Sequence, residues 1–568
     1  MSWCGPNGQW DRDRRRGDLL EGMTPFPSAL AQQYRSKGYW EDRPLIDGFY
    51  EVFQRYADRV AIIDRDERVT YGELEGRSAL LACHLLDLGV CPLDRVVVQL
   101  PNAAAFAYLY FALQMIGAIP VLALPVHRRR EVDQFVGISG ATACAVPATG
   151  RNFDFQDMVA ALMGEHPTLR TCLVQGAGEE RPREGFVSIE ALLGQQPWTP
   201  RSELEQLRRQ IVPTDPAVFL LSGGTTGIPK LIPRTHNDYL YNSRLAASVC
   251  DIRDGDVLLI VLPIEHNLPL ACPGLQGFLL SGATVVLSTR RQPAEIFQLV
   301  ERHRVTHVHV VPALLIRWLN DSSAAQHDLS SLHIVQSGGQ RLQPEVRQRA
   351  QRLLPGCFIQ ENFGMAEGLI MFVRVDDPDY VRRETCGRPV CPDDEVCLVD
   401  EGGREVAAGQ VGELIVRGPY TLRGYYRSPE HNSRAFTADG FYRSGDLLRM
   451  HPSGNFVVEG RRKDLINRGG EKISAEEVEN LALAHPAVLD VSCVPYPDEV
   501  LGERMCACVV LKPGASLSLD ELVGFLAGFD IAKFKLPERL EILDSLPLSG
   551  FGKVSKKALS DLLEDGHG

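Results

Sequence analysis

Apolar and polar positions change period repeatedly along this chain, and the changes mark its elements. Thr70 to Gly89 (TYGELEGRSALLACHLLDLG) has apolar residues at helical spacing behind a Thr-x-x-Glu capping signal at Thr70 and Glu73, and Arg95 to Leu100 then reads as a strand. Ala103 to Val126 carries no charge and is long enough to span a bilayer, but Gln114, Gly117 and Pro120 interrupt it. It divides into a helix over Ala103 to Ile116 and a buried strand over Ile119 to Leu124, so no membrane insertion is expected. Strands follow at Ala217 to Leu221, Val257 to Leu262 and Thr284 to Leu287, then a helix at Pro293 to His303 and a strand at Thr306 to Val311. Helix and strand in turn predict an α/β protein built on a mostly parallel sheet.

Near residue 396 the pattern shortens. Up to Gly460 the segments are glycine-rich and β-like (EVCLVD, GELIVRG, GNFVVEG), which predicts a small β-rich subdomain. A charged connector, GRRKDLINRGG from Gly460 to Gly470, leads to renewed alternation at Ser474 to His485, Val488 to Val494, Met505 to Leu511 and Leu517 to Phe529. The chain is thus expected to divide into an extension over residues 1–22, an N-terminal domain over 23–460 and a C-terminal domain over 461–568, with a hinge at Arg461 to Asp464.

Composition narrows the function classes. A chain of 568 residues is too long for one core, and its 60 basic against 73 acidic side chains give a formal charge of −13, which argues against a nucleic-acid surface. Its 14 cysteines are scattered without a CxxC pair, a reduced, cytoplasmic pattern rather than a disulfide framework or zinc site. Residues 1–22 are polar and lack the apolar stretch of a signal peptide, so they read as a disordered extension. His303, His307 and His309 suggest a metal site at first sight, but strand alternation puts only His307 and His309 on one face. Arg128 to Arg130 read as a solvated helix start.

The most distinctive stretch is LSGGTTGIPK, Leu221 to Lys230. Glycines admit backbone N–H groups to anionic oxygens, hydroxyls add donors, and the lysine adds a point charge, so the loop suits a polyphosphate. It lacks the Gly-Lys-Ser/Thr run of a Walker loop. On composition alone, an anion cradle and a flexible surface loop are equally open readings.

Four later motifs decide between them. LSGGTTGIPK, NFGMAEG (362–368), FYRSGDL (441–447), GRRKDLINRGGEKIS (460–474) and PLSGFGKV (547–554) stand in the order and spacing of the adenylate-forming superfamily, which the chain resembles from about Phe26 to Leu563. QQYRSKGYW (32–40), LALPVHRRRE (122–131), PKLIPRTHNDY (229–239), EHNLPLACPG (265–274) and RGPYTLRGYYRSPEHN (417–432) are similar to the stand-alone aryl-acid AMP ligases of siderophore biosynthesis. The resemblance implies a large N-terminal domain of two α/β sheet subdomains plus the β-rich subdomain, a hinge, and a small α+β C-terminal domain. It implies ATP and Mg²⁺ as cofactors.

Site residues follow from the same resemblance. Ser222, Gly223, Gly224, Thr225, Thr226 and Lys230 would cradle the β- and γ-phosphates, and Lys553 would be the catalytic lysine bridging carboxylate and phosphate. Glu367 would hold Mg²⁺. Gly338 and Gly339 with Phe363, which precedes Gly364, would sandwich adenine, and Asn362 would meet its amino edge. Asp446 and Arg461 would bind the ribose. Asp464 matches the hinge residue, and Gly469, Gly470 and Lys472 the face lining the entry of a phosphopantetheine thiol from an aryl carrier protein.

Substrate choice is expected in EHNLPLACPG and QSGGQRL. His266 and Asn267 resemble residues that meet the aryl carboxylate and its ortho hydroxyl, and Tyr239 a pocket wall. Relatives that take 2,3-dihydroxybenzoate have serine where Cys272 stands, whereas a thiol, a weak hydrogen-bond partner, suits a ring position bearing only hydrogen. Salicylate is therefore the expected acid, with 2,3-dihydroxybenzoate as the alternative; an aryl-CoA ligase and a catalytically silent binding protein are the further alternatives to a ligase that loads a carrier protein. Ser337, where the family usually has an aliphatic residue, offers a further polar partner to the substrate.

Overall fold

The computed structural model describes residues 19–150, 153–176, 182–222, 230–469, 471–529, 531–549 and 553–565. Among these, two large sheets carry the N-terminal part. One runs Val187–Ser188, Thr171–Gln175, Ala143–Pro147, Arg95–Val98, Ile119–Leu122, Pro216–Leu221 and Leu231–Thr235, parallel except for its last pair. The other has a parallel centre of Phe358–Gly364, Ile334–Ser337, His307–Val310, Val257–Ile260, Thr284–Leu287 and Val60–Asp64, closed at each edge by antiparallel strands.

The uncharged stretch resolves as expected, and for a physical reason. Its helix, Ala104–Ile116, is buried on every side in the core cluster that spans both sheets, so it has no solvent-facing stripe to keep polar. It ends where Gly117 takes φ 74°, a conformation that costs a residue with a Cβ. Beside it lies Tyr71–Asp87, begun by the capping box of Thr70 and Glu73. No helix among the described residues is long and apolar enough to cross a membrane.

The β-rich segment forms a four-stranded antiparallel sheet of Glu395–Val399, Val411–Arg417, Tyr442–Met450 and Phe456–Arg461. Its last strand ends in a short 3-10 turn, Arg462–Asp464, where the hinge was expected. Beyond it a five-stranded sheet, built on the long hairpin Val488–Asp498 and Gly502–Leu511, packs on helices Ala475–Ala482 and Leu519–Ala527 around its own core. This C-terminal unit touches the rest through Ser474 Oγ, which donates to the Glu459 carbonyl (2.7 Å), and through the pairs Gln343–Asn480 and Lys472–Glu401.

Sequence-derived strand ends run long by one or two residues: Val257–Ile260 and His307–Val310 stop short of Leu262 and Val311. The residues past those ends are apolar but belong to loops at the carboxyl edge of the sheet, where a parallel α/β protein places its site.

Candidate active site

The stretch expected to cradle phosphates begins at the end of strand Pro216–Leu221. Ser222 and Lys230 close its base reciprocally: Ser222 N–H donates to the Lys230 carbonyl (3.0 Å) and Lys230 N–H to Ser222 Oγ (2.9 Å). Gly223, Gly224, Thr225 and Thr226 lie outside the described residues, as does Gly470. The Lys230 ammonium sits 5.8 Å from the centre of the Tyr425 ring, and Tyr425 Oη donates to Glu367 Oε1 (2.8 Å). Lys230 and Glu367, 137 residues apart by subtraction of their numbers, are thus joined through one tyrosine. Tyr425 was not singled out by sequence reading, although it stands in the RGPYTLRGYYRSPEHN stretch.

Asp446 and Arg461 face each other in register on neighbouring strands of the small sheet, and Arg461 Nε contacts Asp446 Oδ1 at 2.7 Å. Burial pushes the Asp446 carboxyl up while Arg461 pulls it down. Lys553, from the C-terminal unit, comes over the end of strand Ile334–Ser337. A Cβ added to Gly339, whose φ is +87°, would lie 2.8 Å from Lys553 Cε, so only glycine there admits the lysine arm. The ammonium is desolvated and repelled by Arg461 and Lys463, while Asp446 and Glu367 oppose that effect, and it falls to about 8. His266 is lowered to about 3, by burial and then by Lys553, so its imidazole is neutral. Burial likewise raises Glu367 above the ordinary carboxylate range.

The next residue back from His266 is unusual. Glu265 is 3% exposed, and burial raises its carboxyl to about 8 against the opposing pull of its own backbone N–H and of Arg291.

Helix His236–Val249 and the short helix Asn267–Ala271 form the wall predicted to select the acid. Tyr239 Oη donates to Asn267 Oδ1 (2.9 Å), and the Arg234 guanidinium lies 4.6 Å from the Tyr239 ring centre. Cys272 Sγ takes a hydrogen bond from Asn242 Nδ2 (3.3 Å), whose Oδ1 is held by Arg234 (3.3 Å). Asn242 is one turn from Tyr239, an i, i+3 relation visible in the sequence but not used there. Tyr239, Asn267 and Cys272 are therefore brought together. Ser337 is placed differently: it stands in register with Glu361, which binds Arg347 of helix Pro344–Leu353, so strand alternation turns it to the sheet face opposite Gln336. Its buried Oγ has no partner there.

Phe363 and Asn362 likewise alternate to opposite faces of strand Phe358–Gly364. Gly338 lies against Asn362: a Cβ on Gly338 would meet Asn362 Oδ1 at 2.1 Å. Asp464 ends the 3-10 turn, and Gly469 and Lys472 flank the tight turn after strand Leu465–Arg468, with Lys472 paired to Glu401. The histidine group holds no metal-like cluster among the described residues. His307 shares a hydrogen bond with Thr306 Oγ1 (2.7 Å), and both His307 and His309 pack edge-on to Phe278.

Lys230, Tyr425, Glu367, the Asp446–Arg461 pair and Lys553 are thus linked one to the next by a ring contact, a hydrogen bond, an ion pair and charge. The chain belongs to the AMP-binding enzyme family: that family's profile matches residues 49–426, and the profile of the AMP-binding enzyme C-terminal domain matches 477–553. It is 46% identical to a salicylyl-CoA synthase / salicylate adenylyltransferase of Streptomyces sp, over 96% of this chain and 98% of that protein. It is 42% identical to the salicyl-AMP ligase / salicyl-S-ArCP synthetase of Mycobacterium tuberculosis, over 95% and 94% respectively. The apo structure of Mycobacterium smegmatis MbtA superposes with a TM-score of 0.71 at 42% identity, covering 95% of this chain and 98% of that one.

Proposed function

We propose that this chain activates a salicylate-type 2-hydroxyaryl acid with ATP and transfers the acyl group to the phosphopantetheine thiol of an aryl carrier protein. The observation that carries this reading is Lys553 lying against Gly339 near Asp446, Glu367 and Arg461, within electrostatic reach of His266 at the acid wall. An acid and a triphosphate repel as they meet, so the site must supply positive charge where they join. Lys553 supplies it. The carboxylate oxygen attacks the α-phosphorus, the bond to the β-phosphate oxygen breaks, and pyrophosphate leaves; Ser222 and Lys230 hold that end of the nucleotide. Asp446 and Arg461 take the ribose hydroxyls, and Phe363 with Gly338 and Gly339 takes adenine.

A half-buried carboxylate such as Glu367, hydrogen-bonded by Tyr425, fits Mg²⁺, which prefers one or two carboxylates and fills its shell from phosphate and water. Bound there, it would neutralise phosphate charge. His266, neutral, accepts or donates a hydrogen bond at the acid without adding charge.

For the second step the thiol sulfur attacks the carbonyl carbon and AMP departs. Lys553 then has to leave, and rotation about Asp464 is the proposed route. That rotation breaks the Lys472–Glu401 pair and turns Gly469 and Lys472 toward the site. The division into units at residues 460 and 461 is part of this proposal. The name of the Mycobacterium tuberculosis relative supports a carrier protein as acceptor; that of the Streptomyces relative names coenzyme A.

ATP–pyrophosphate exchange with salicylate, 2,3-dihydroxybenzoate and benzoate tests the reading, followed by loading assays with an aryl carrier protein and with coenzyme A. Exchange with the 2-hydroxy acids over benzoate, and faster loading of the carrier, are expected. Absence of acid-dependent exchange would refute it.

A further inference from the structure

A cleft of about 220 Å³ opens at the amino end of strand Phe358–Gly364, the end opposite Phe363. Helix Pro344–Leu353 supplies Arg347 and Gln351, the turn after it Cys357, the strand Phe358, and helix Asp379–Glu384 supplies Asp379 and Arg382. Phe363 stands five residues further along the strand by subtraction of their numbers, so roughly 16 Å separates the cleft from the residue expected to stack on adenine.

Two guanidinium groups share this cleft. Arg347 is 2% exposed; one terminal nitrogen donates to the Ile359 carbonyl (2.7 Å) and the other binds Glu361, whereas its buried Nε has no acceptor. Arg382 has less. Its guanidinium lies 5.7 Å from the centre of the Phe358 ring, its Nε is also buried without an acceptor, and it forms no side-chain hydrogen bond or ion pair among the described residues. The carboxylates of its own helix are committed elsewhere: Asp379, one turn earlier and within reach, pairs with Arg383 (2.8 Å), and Glu384 faces His451 (3.4 Å). Burial pushes the Cys357 thiol up to about 12, so it adds no negative charge. With Arg347 balanced by Glu361 and Arg383 by Asp379, the charge of Arg382 is left over.

A buried N–H without an acceptor is costly, and a guanidinium presents its donors as a planar fork that matches the oxygens of one anion. The cleft is small for a cofactor and ample for a tetrahedral oxyanion. We propose that it is an anion-binding site, separate from the nucleotide site, that takes a phosphate group, free or at the end of a monoester, between Arg347 Nε and the Arg382 guanidinium. Such a site does not depend on the adenylation activity. Arg382 is the residue to change, because removing Arg347 would leave Glu361 buried and unpaired.

Thermal melts of the full-length protein in inorganic phosphate, against chloride at the same ionic strength and pH, test the site. The melting temperature is expected to rise with phosphate, since a ligand of the folded state stabilises it. The rise should persist in Lys230→Met, because Lys230 belongs to the nucleotide side. Arg382→Gln is expected to melt like the parent in chloride and to need at least about tenfold more phosphate for the same rise, the worth of one charge-assisted hydrogen bond. Glycerol 3-phosphate separates the two sources: a rise at lower concentration than phosphate assigns the site to a monoester, and one at higher concentration assigns it to the free ion. Selenate soaked into crystals of the unmodified protein and located by anomalous scattering gives a second measurement that needs no variant, and a peak between Arg347 and Arg382 is expected. No effect beyond chloride, an effect equal in Arg382→Gln, an effect lost in Lys230→Met, or a cleft without selenate overturns the proposal.

Discussion

Replacing Lys553 by methionine separates stability from catalysis. The substitution keeps an unbranched side chain against Gly339 and removes only the ammonium. That ammonium falls from its usual 10.5 to about 8 through desolvation and the repulsion of Arg461 and Lys463. At 1.36 kcal/mol per pH unit, holding it charged costs at most about 3 kcal/mol, and less for a partly exposed amine screened by water. The folded value is depressed for a base, so stability rises as pH increases through 8 toward 10.5. Lys553→Met is therefore expected to leave the apo melting temperature unchanged or to raise it at pH 7. The same change removes the charge proposed to bridge carboxylate and α-phosphate, and the loss of one such electrostatic contact is expected to slow adenylation about 10²- to 10³-fold. Exchange assays and thermal melts on the same preparation measure both. In the unmodified protein kcat/KM for exchange should fall above about pH 8, as Lys553 loses its proton in the free enzyme. Exchange within threefold of the parent, or a clearly lowered melting temperature, would refute the assignment.

Three other outcomes are expected. Glu265→Gln should stabilise the protein increasingly from pH 5 to pH 8, because a carboxyl raised to about 8 contributes full stability only below its unfolded value and loses it as pH rises. The gain at pH 7 is of order 3 kcal/mol, and an unchanged melting curve across that range would contradict it. Cys272→Ser should raise the preference for 2,3-dihydroxybenzoate over salicylate about fivefold, the worth of one added hydrogen bond of about 1 kcal/mol; competition exchange assays measure the ratio. Asp446→Asn should leave the fold intact but raise KM for ATP at least tenfold, since it keeps the shape and discards the charge paired with Arg461.

Much of the architecture was legible because local chemistry and global fold agree. The Thr70–Glu73 box, the Gly117 stop and the helix Pro293–His303 stand where period and capping signals put them. The uncharged 103–126 stretch was readable because glycine and proline cut it to a length that suits a buried helix and strand. Of the candidate site, linear motifs singled out residues whose chemistry is distinctive, such as Lys553, Glu367 and Asp446, and the fold brings these three within electrostatic reach of one another. Partners that act through geometry were missed. Tyr425 reaches Glu367 across 58 residues by subtraction of their numbers, and Asn242 matters because helix spacing turns it toward Cys272. Ser337 shows the limit most clearly: it is one residue from the motif glycine Gly338, but strand alternation, set by register with Glu361, decides which face it serves.

Attack of an aryl carboxylate on the α-phosphate of ATP is the step on which the proposed activity turns. Incubating the full-length protein with [α-³²P]ATP, Mg²⁺ and salicylate, then separating the labelled products, tests this directly. Label is expected in an aryl adenylate, with unlabelled pyrophosphate released in equal amount and both lost in Lys553→Met. Label recovered in ADP, or an adenylate yield independent of the acid, would contradict it.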